Sequence, residues 1–246
     1  MVVLGFDTST RATAVGLLLT DRRMREARDD PTGDARPGHA TRLLPLAHSL
    51  LADAELAWGD IERIAVGVGP GTFTGLRIGV ATARGLAQSL GVGLVGVSSL
   101  RALAHASAFI DSDVLGDDGA WGKGGARVLS VIDARRGEVF AAAYQGEIEL
   151  IAPAPLAPTD LPELLDRADS LAGSPTWLAI GDGAVRYRRE LEHAGAVVPD
   201  DGSLLHRVHA RAICELGLLG DPTDEQVLPD YRRRPDAEIA LQGVPS

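Results

Sequence analysis

Val66-Gly67-Val68-Gly69-Pro70-Gly71-Thr72-Phe73-Thr74-Gly75-Leu76-Arg77-Ile78-Gly79 reads as a buried strand that enters a Gly-Pro-Gly turn and continues directly into a helix. The strand spans Ile64–Val68, and the helix runs from about Thr74 to Leu90, with Gly91 as its stop. A helix start of this kind presents unpaired backbone N–H groups that can receive an anion. It is not a P-loop, because no Gly-Lys-Ser/Thr follows at the required spacing. By chemistry alone, a tight strand-to-helix connection is the simpler reading.

Upstream, Val2–Phe6, Ala12–Leu19 and Met24–Arg28 form a β-meander, and a Pro- and Gly-bearing loop follows at 29–39. From Thr41 the period changes. Leu43, Leu46, Ala47, Leu50, Leu51 and Ala54 recur at three and four, the mark of an amphipathic helix. Downstream come a strand at Leu94–Val97, a helical stretch at 99–109 and a Gly- and Asp-rich surface loop at 111–126. The same grammar then begins again with strands Val128–Ile132, Glu138–Tyr144 and Glu147–Ile151 and helix-start signals at Asp160 and Glu163. A strand at Trp177–Ile180, a helix at Val185–Ala194 and a last helix at Leu204–Leu219 complete it. Each half opens with an apolar strand ending in an aspartate, Asp7 or Asp133. This predicts an α/β protein of two mixed-sheet lobes, 1–110 and 127–219, with a tail at 220–246 and a last helix free to pack back on the first lobe. A single doubly wound sheet accommodates the paired hairpins less well.

Composition narrows the function. The 246 residues are 45% hydrophobic and 24% charged, which excludes a disordered or collagenous chain. With 34 acidic against 24 basic residues, the net charge is -10, which opposes holding a nucleic acid alone. The single cysteine, Cys214, excludes an intramolecular disulfide and suits a reducing compartment. The apolar stretch between Arg84 and Arg101 is interrupted by glycines and by Gln88, Ser89, Ser98 and Ser99, so no membrane span is expected. Asp7 arrives too early for a signal peptide, and the expected location is cytoplasmic.

Among the motifs, Asp7-Thr8-Ser9-Thr10 at a hairpin tip can orient a magnesium-bound phosphate or simply form an Asx turn. His206 and His209 lack further ligands and read as structural, and Arg232-Arg233-Arg234 as a solvated basic run. Gly75, Gly79, Ala83 and Ala87 make a ridge without bulky side chains on the second helix. Either another element of the same lobe or a partner's helix must approach closely there.

Phe6-Asp7-Thr8-Ser9-Thr10, the Gly69–Gly79 block, Asp133-Ala134-Arg135 with Gly137-Glu138-Val139-Phe140, and Pro229-x-Tyr231-x-Arg233 resemble the TsaB (YeaZ) family. The resemblance implies the two-lobed actin-like ATPase (ASKHA, ribonuclease H-like) fold. It also implies a non-catalytic role in threonylcarbamoyladenosine modification at adenosine 37 of ANN-decoding tRNAs. The partner is the transferase TsaD, TsaE joins the complex, and tRNA is reached through it, with a homodimer compatible when the chain is alone. TsaD-type proteins carry a His-x-x-x-His metal pair where this chain has His105 alone, with Arg101 and Phe109 four residues to either side. Arg135 and Arg136 crowd the second phosphate loop, and Asp182 in Gly181-Asp182-Gly183 repels a nucleotide. Asp7, Thr8, Ser9, Gly69 and Gly71 are then a vestigial phosphate site. No cofactor is required by the isolated chain, and the partner interface is compatible with ATP or ADP. The expected docking surface is the helix pair 41–57 and 74–90, through Leu43, Leu46, Leu50, Leu51, Gly75, Gly79 and Ala83. The alternative is a free-standing ATP-dependent kinase or acyltransferase using Asp7 and the Gly69–Gly71 turn.

Overall fold

Strict alternation in the first strands sends apolar side chains to both faces of one sheet, so helices must cover both. The computed structural model describes residues 1–33, 35–109, 127–172, 176–222 and 227–232. Strands β1 (Val3–Asp7), β2 (Thr13–Leu18), β3 (Met24–Asp29), β4 (Arg63–Gly69) and β5 (Gly93–Ser98) form a sheet of order β3-β2-β1-β4-β5. The meander β1–β3 is antiparallel, and β4 and β5 are added in parallel. On one face, Leu4, Phe6, Val15 and Leu17 pack under helices α1 (His39–Asp53) and α2 (Phe73–Leu90). Gly91 ends α2 in the left-handed conformation, φ 68°, as the sequence predicts.

The second half repeats this plan. Strands β6 (Arg127–Arg135), β7 (Glu138–Gln145), β8 (Ile148–Leu156) and β9 (Leu178–Ile180) take the order β8-β7-β6-β9, and a parallel bridge from Leu178 to Val197 stands where a fifth strand would lie. Helices α4 (Leu161–Ala172), α5 (Asp182–Arg186) and α6 (Arg188–His193) complete this half. The architecture is the expected actin-like one of duplicated mixed-sheet lobes.

Two expectations change. The predicted helix Val185–Ala194 starts earlier and breaks at Tyr187 (φ -113°, ψ 35°). The break lets Arg188 reach Val198 O at 2.7 Å and the Asp201 carboxylate at 2.6 Å. The last helix is likewise shorter, with a 3-10 turn at Leu204–His206 and helix α7 only from Ala210 to Leu219. His206 is buried between the carbonyls of Gly181 and Pro199, at 3.1 and 3.0 Å, which holds the chain off the helical path. His209 is the N-cap residue of α7, so both histidines are structural here. The two lobes share one core. Helix α7 lies on the first sheet, so close that a Cβ on Gly5 would meet Cys214 and one on Gly217 would overlap Ala65. Helix α3 (Ser99–Ala106) reaches β6 and β7 of the second sheet, and one core joins Val3 and Ile213 to Leu103, Ile132 and Phe140. The loop expected at 111–126, and Arg233 and Arg234 of the tail, lie outside the described residues.

His105 ties this junction together. Its Nδ1 lies 3.3 Å from Glu147 at the tip of the β7–β8 hairpin, and its Nε2 lies 2.9 Å from Glu215 on α7. Arg101 pairs with Glu147 at 2.6 Å and Arg211 with Glu215 at 2.8 Å, while Phe109 packs edge-on between His105 and His209. The Glu215 bond raises the imidazole pKa most, Glu147 adds to it, and burial opposes both. A raised folded-state value means stabilisation complete below the unfolded value near 6.5 and lost as pH rises through the folded one. In urea denaturation, the stability margin of the wild type over His105→Gln should therefore shrink as the pH rises above about 6.5. A margin unchanged by pH would show that the imidazole acts uncharged.

Candidate functional site

β1 ends at Asp7 inside the protein, so its carboxylate must be met by the chain itself. Oδ1 accepts the Ser9 amide at 2.9 Å and the Ser9 hydroxyl at 2.7 Å; Oδ2 accepts the Ser99 hydroxyl from α3 at 2.7 Å. Gly67 on β4 makes room, since a Cβ there would overlap the carboxylate. The turn that follows is pressed against the start of α2. Ser9 O accepts the Thr72 amide at 2.7 Å, and the Thr8 hydroxyl donates to Gly75 O at 2.7 Å. Asp7, Thr8 and Ser9 are thus wholly buried. Beside them, buried Thr13 contacts His39 Nδ1 at 2.9 Å, and loss of hydration lowers the pKa of His39.

The predicted phosphate-site residues are therefore brought together, with Gly69 in a positive-φ conformation (105°) and Gly71 leaving space for Ser9 O. Their polar groups are turned on one another. The arrangement is an internal fastening of β1, α2 and α3.

The small-residue ridge belongs to the same fastening, which corrects the expectation that it faces a partner. Gly75, Gly79, Ala83 and Ala87 are all buried. A Cβ at Gly75 would overlap the Thr8 carbonyl, and one at Gly79 the Thr8 hydroxyl. Leu43, Leu50 and Leu51 are likewise buried in the lobe's own core, and Leu46 packs against it. The inward stripe of each helix is what the periodicity records.

At the matching point of the second lobe, Asp133 plays a related part. Arg135 and Arg136, at φ 66° and 53°, and Gly137, at 77°, turn β6 into β7. The Asp133 carboxylate accepts the Arg135 amide at 2.9 Å and the guanidinium groups of Arg135 and Arg186 at 3.1 and 3.0 Å. Its own amide donates to Asp182 Oδ1 at 2.9 Å. Lost hydration pushes the Asp182 carboxyl up to about 6, with the charge of Asp133 adding and the amide bond opposing. The anion seat offered by this loop is thus taken by the protein's own carboxylate.

Sequence reasoning missed Ser99, Gly67 and the Asp182 bond. Gly67 carried a signal, since a glycine inside a buried strand marks a close approach; Ser99 carried none. It also missed how Tyr231 is used. Tyr231 stacks on Phe73 with ring centroids 5.1 Å apart, and its hydroxyl accepts from Arg77 Nε at 3.1 Å.

A protein-family model described as TsaD, tRNA N6-adenosine threonylcarbamoyltransferase, matches residues 33–156. The chain is 34% identical over 213 residues to the tRNA threonylcarbamoyladenosine biosynthesis protein TsaB of Escherichia coli, covering 83% of this chain and 81% of that one. An uncharacterised protein of Mycobacterium leprae is 37% identical over 180 residues, and the shared region spans only 45% of its length. Among solved structures, YeaZ from Pseudomonas aeruginosa superposes with a TM-score of 0.71 at 31% identity, over 94% of this chain and all of that one.

The glycines of α2 give a paired test. Gly85 faces open space, so Gly85→Ala should stabilise the protein by up to about 1 kcal/mol through helix propensity. Gly75→Ala must displace backbone at Thr8 and should destabilise it by roughly 1–3 kcal/mol despite the same propensity gain. Thermal melts of the two variants read the difference, and a stabilised Gly75→Ala would refute the fastening.

Proposed function

The chain belongs to the TsaB family of tRNA threonylcarbamoyladenosine biosynthesis proteins, and on that premise we propose that it is the non-catalytic partner of a TsaD threonylcarbamoyltransferase. The reaction served is modification of adenosine 37 in ANN-decoding tRNAs, with TsaE joining the pair. The observation that carries the non-catalytic part is the engagement of both aspartate loops. Asp7 is bonded by Ser9 and Ser99, and the Asp133 amide by Asp182. On this reading the chain needs no cofactor of its own, and ATP or ADP acts only at the partner interface. The charge of -10 favours contact with tRNA through the complex rather than by this chain alone.

The docking face we propose is the outward side of α1 and α2, opposite the ridge. On α2, Thr74, Ile78, Ala81 and Gly85 are spaced four, three and four, so they form one stripe; Ile78 is half-buried and the others are exposed. On α1, which packs beside α2, Leu44 is 44% exposed and Pro45 and His48 are also exposed. Ala81 and Gly85 let a foreign helix approach closely, and Leu44 supplies apolar area. No helix among the described residues is long and apolar enough to cross a membrane.

Purified chain should release no appreciable phosphate from ATP, yet be required for threonylcarbamoyladenosine formation by TsaC, TsaD and TsaE. Turnover on the order of 1 s⁻¹ by the chain alone would restore the kinase reading. Ala81→Arg should abolish coelution with TsaD in size-exclusion chromatography while leaving the circular dichroism of the chain unchanged. A coeluting variant would refute the docking face.

A further inference from the structure

Residues 227–232 return from α7 across the Gly69–Gly71 turn. Val227 is buried against Gly96 and the first-lobe core, and the Asp230 amide donates to Val68 O at 2.8 Å. Arg232 grips the Asp230 carboxylate at 2.7 and 2.8 Å and reaches Pro153 O on β8 at 3.0 Å. Tyr231, between these anchors, is thereby fixed although 43% exposed.

What Tyr231 fixes in turn is Arg77. The guanidinium carbon lies 4.0 Å from the centroid of Phe73, and Nε donates to the Tyr231 hydroxyl. Among the described residues neither terminal nitrogen of this exposed arginine has a hydrogen-bond partner. An arginine stacked below and bonded at Nε has already lost most of its rotamer freedom, and it presents its two outer nitrogens as a fork. A planar oxyanion such as a carboxylate fits that fork with two parallel bonds.

We propose that Phe73 and Tyr231 hold Arg77 as a preformed carboxylate receptor, and that its ligand is an acidic side chain of TsaD. This rests on the docking face argued above, at whose end Arg77 lies. Two observations favour a protein carboxylate over an RNA phosphate. Arg77 is followed on α2 by Ile78, Ala81 and Gly85, a surface shaped for a helix. The chain's net charge of -10 also repels a phosphate backbone.

The test is the affinity of the full chain for TsaD by calorimetry, with circular dichroism of each variant. Arg77→Gln should weaken binding about tenfold or more, and Arg77→Lys, which keeps the charge without the fork, should recover only part. Tyr231→Phe keeps the ring and removes the hydroxyl, so its loss should be smaller but measurable. The penalty of Arg77→Gln should shrink at high salt. Wild-type affinity in Arg77→Gln, with binding lost in Ala81→Arg, overturns the receptor and leaves the docking face standing. Loss in both variants supports the receptor, whereas loss in Arg77→Gln alone, or wild-type affinity in both, overturns the docking face and the proposal that rests on it. If Arg77→Gln leaves TsaD affinity intact and lowers tRNA retention by the assembled complex, the occupant is a phosphate and the proposal fails.

Discussion

A carboxylate buried at the end of the first strand governs the rest of this protein. Asp7 cannot be left unpaired in an apolar interior, where an isolated ion is costly. Ser9 meets it from its own turn and Ser99 from α3, and Gly67 yields the space it occupies. Once that turn is drawn inward, Gly71, Gly75 and Gly79 must lack side chains, because Ser9 and Thr8 fill the volume their Cβ atoms would need. The most distinctive stretch of the sequence thus follows from one buried charge and the turn folded around it.

The same constraint acts in both lobes. The turn that elsewhere would meet an anion is closed by hydroxyl and amide donors of the chain, and the second lobe repeats the solution with Asp133, Asp182, Arg135 and Arg186. Both openings are satisfied internally, in keeping with the docking face proposed on the outer side of α1 and α2. Burial also pushes the Cys214 thiol up, out of the reactive range, beneath β1.

Much of this was legible in the sequence because local chemistry decided it. The meander, the periods of α1 and α2, the stop at Gly91 and the recurrence of an Asp-ended strand all rest on residues close in the chain. The helix break at Tyr187 and the late start of α7 were not legible, because Arg188 and His206 are drawn to carbonyls of the segment around Pro199. The small-residue ridge was visible but its direction was not. A spacing of four says that something comes close, without saying whether it is a partner or, as here, the chain's own Thr8. The Ser99 hydroxyl, 92 residues from Asp7, left no local trace.

The placement of α7 bears on how the protein is made. Its residues complete the covering of the first sheet, yet they follow that sheet by more than a hundred residues in the chain. At a usual elongation rate of about 10 residues per second, the first half waits on the order of ten seconds with Val3, Gly5 and Ala65 uncovered on that face. A gene split between the halves would therefore yield two fragments that each lack part of their neighbour's core.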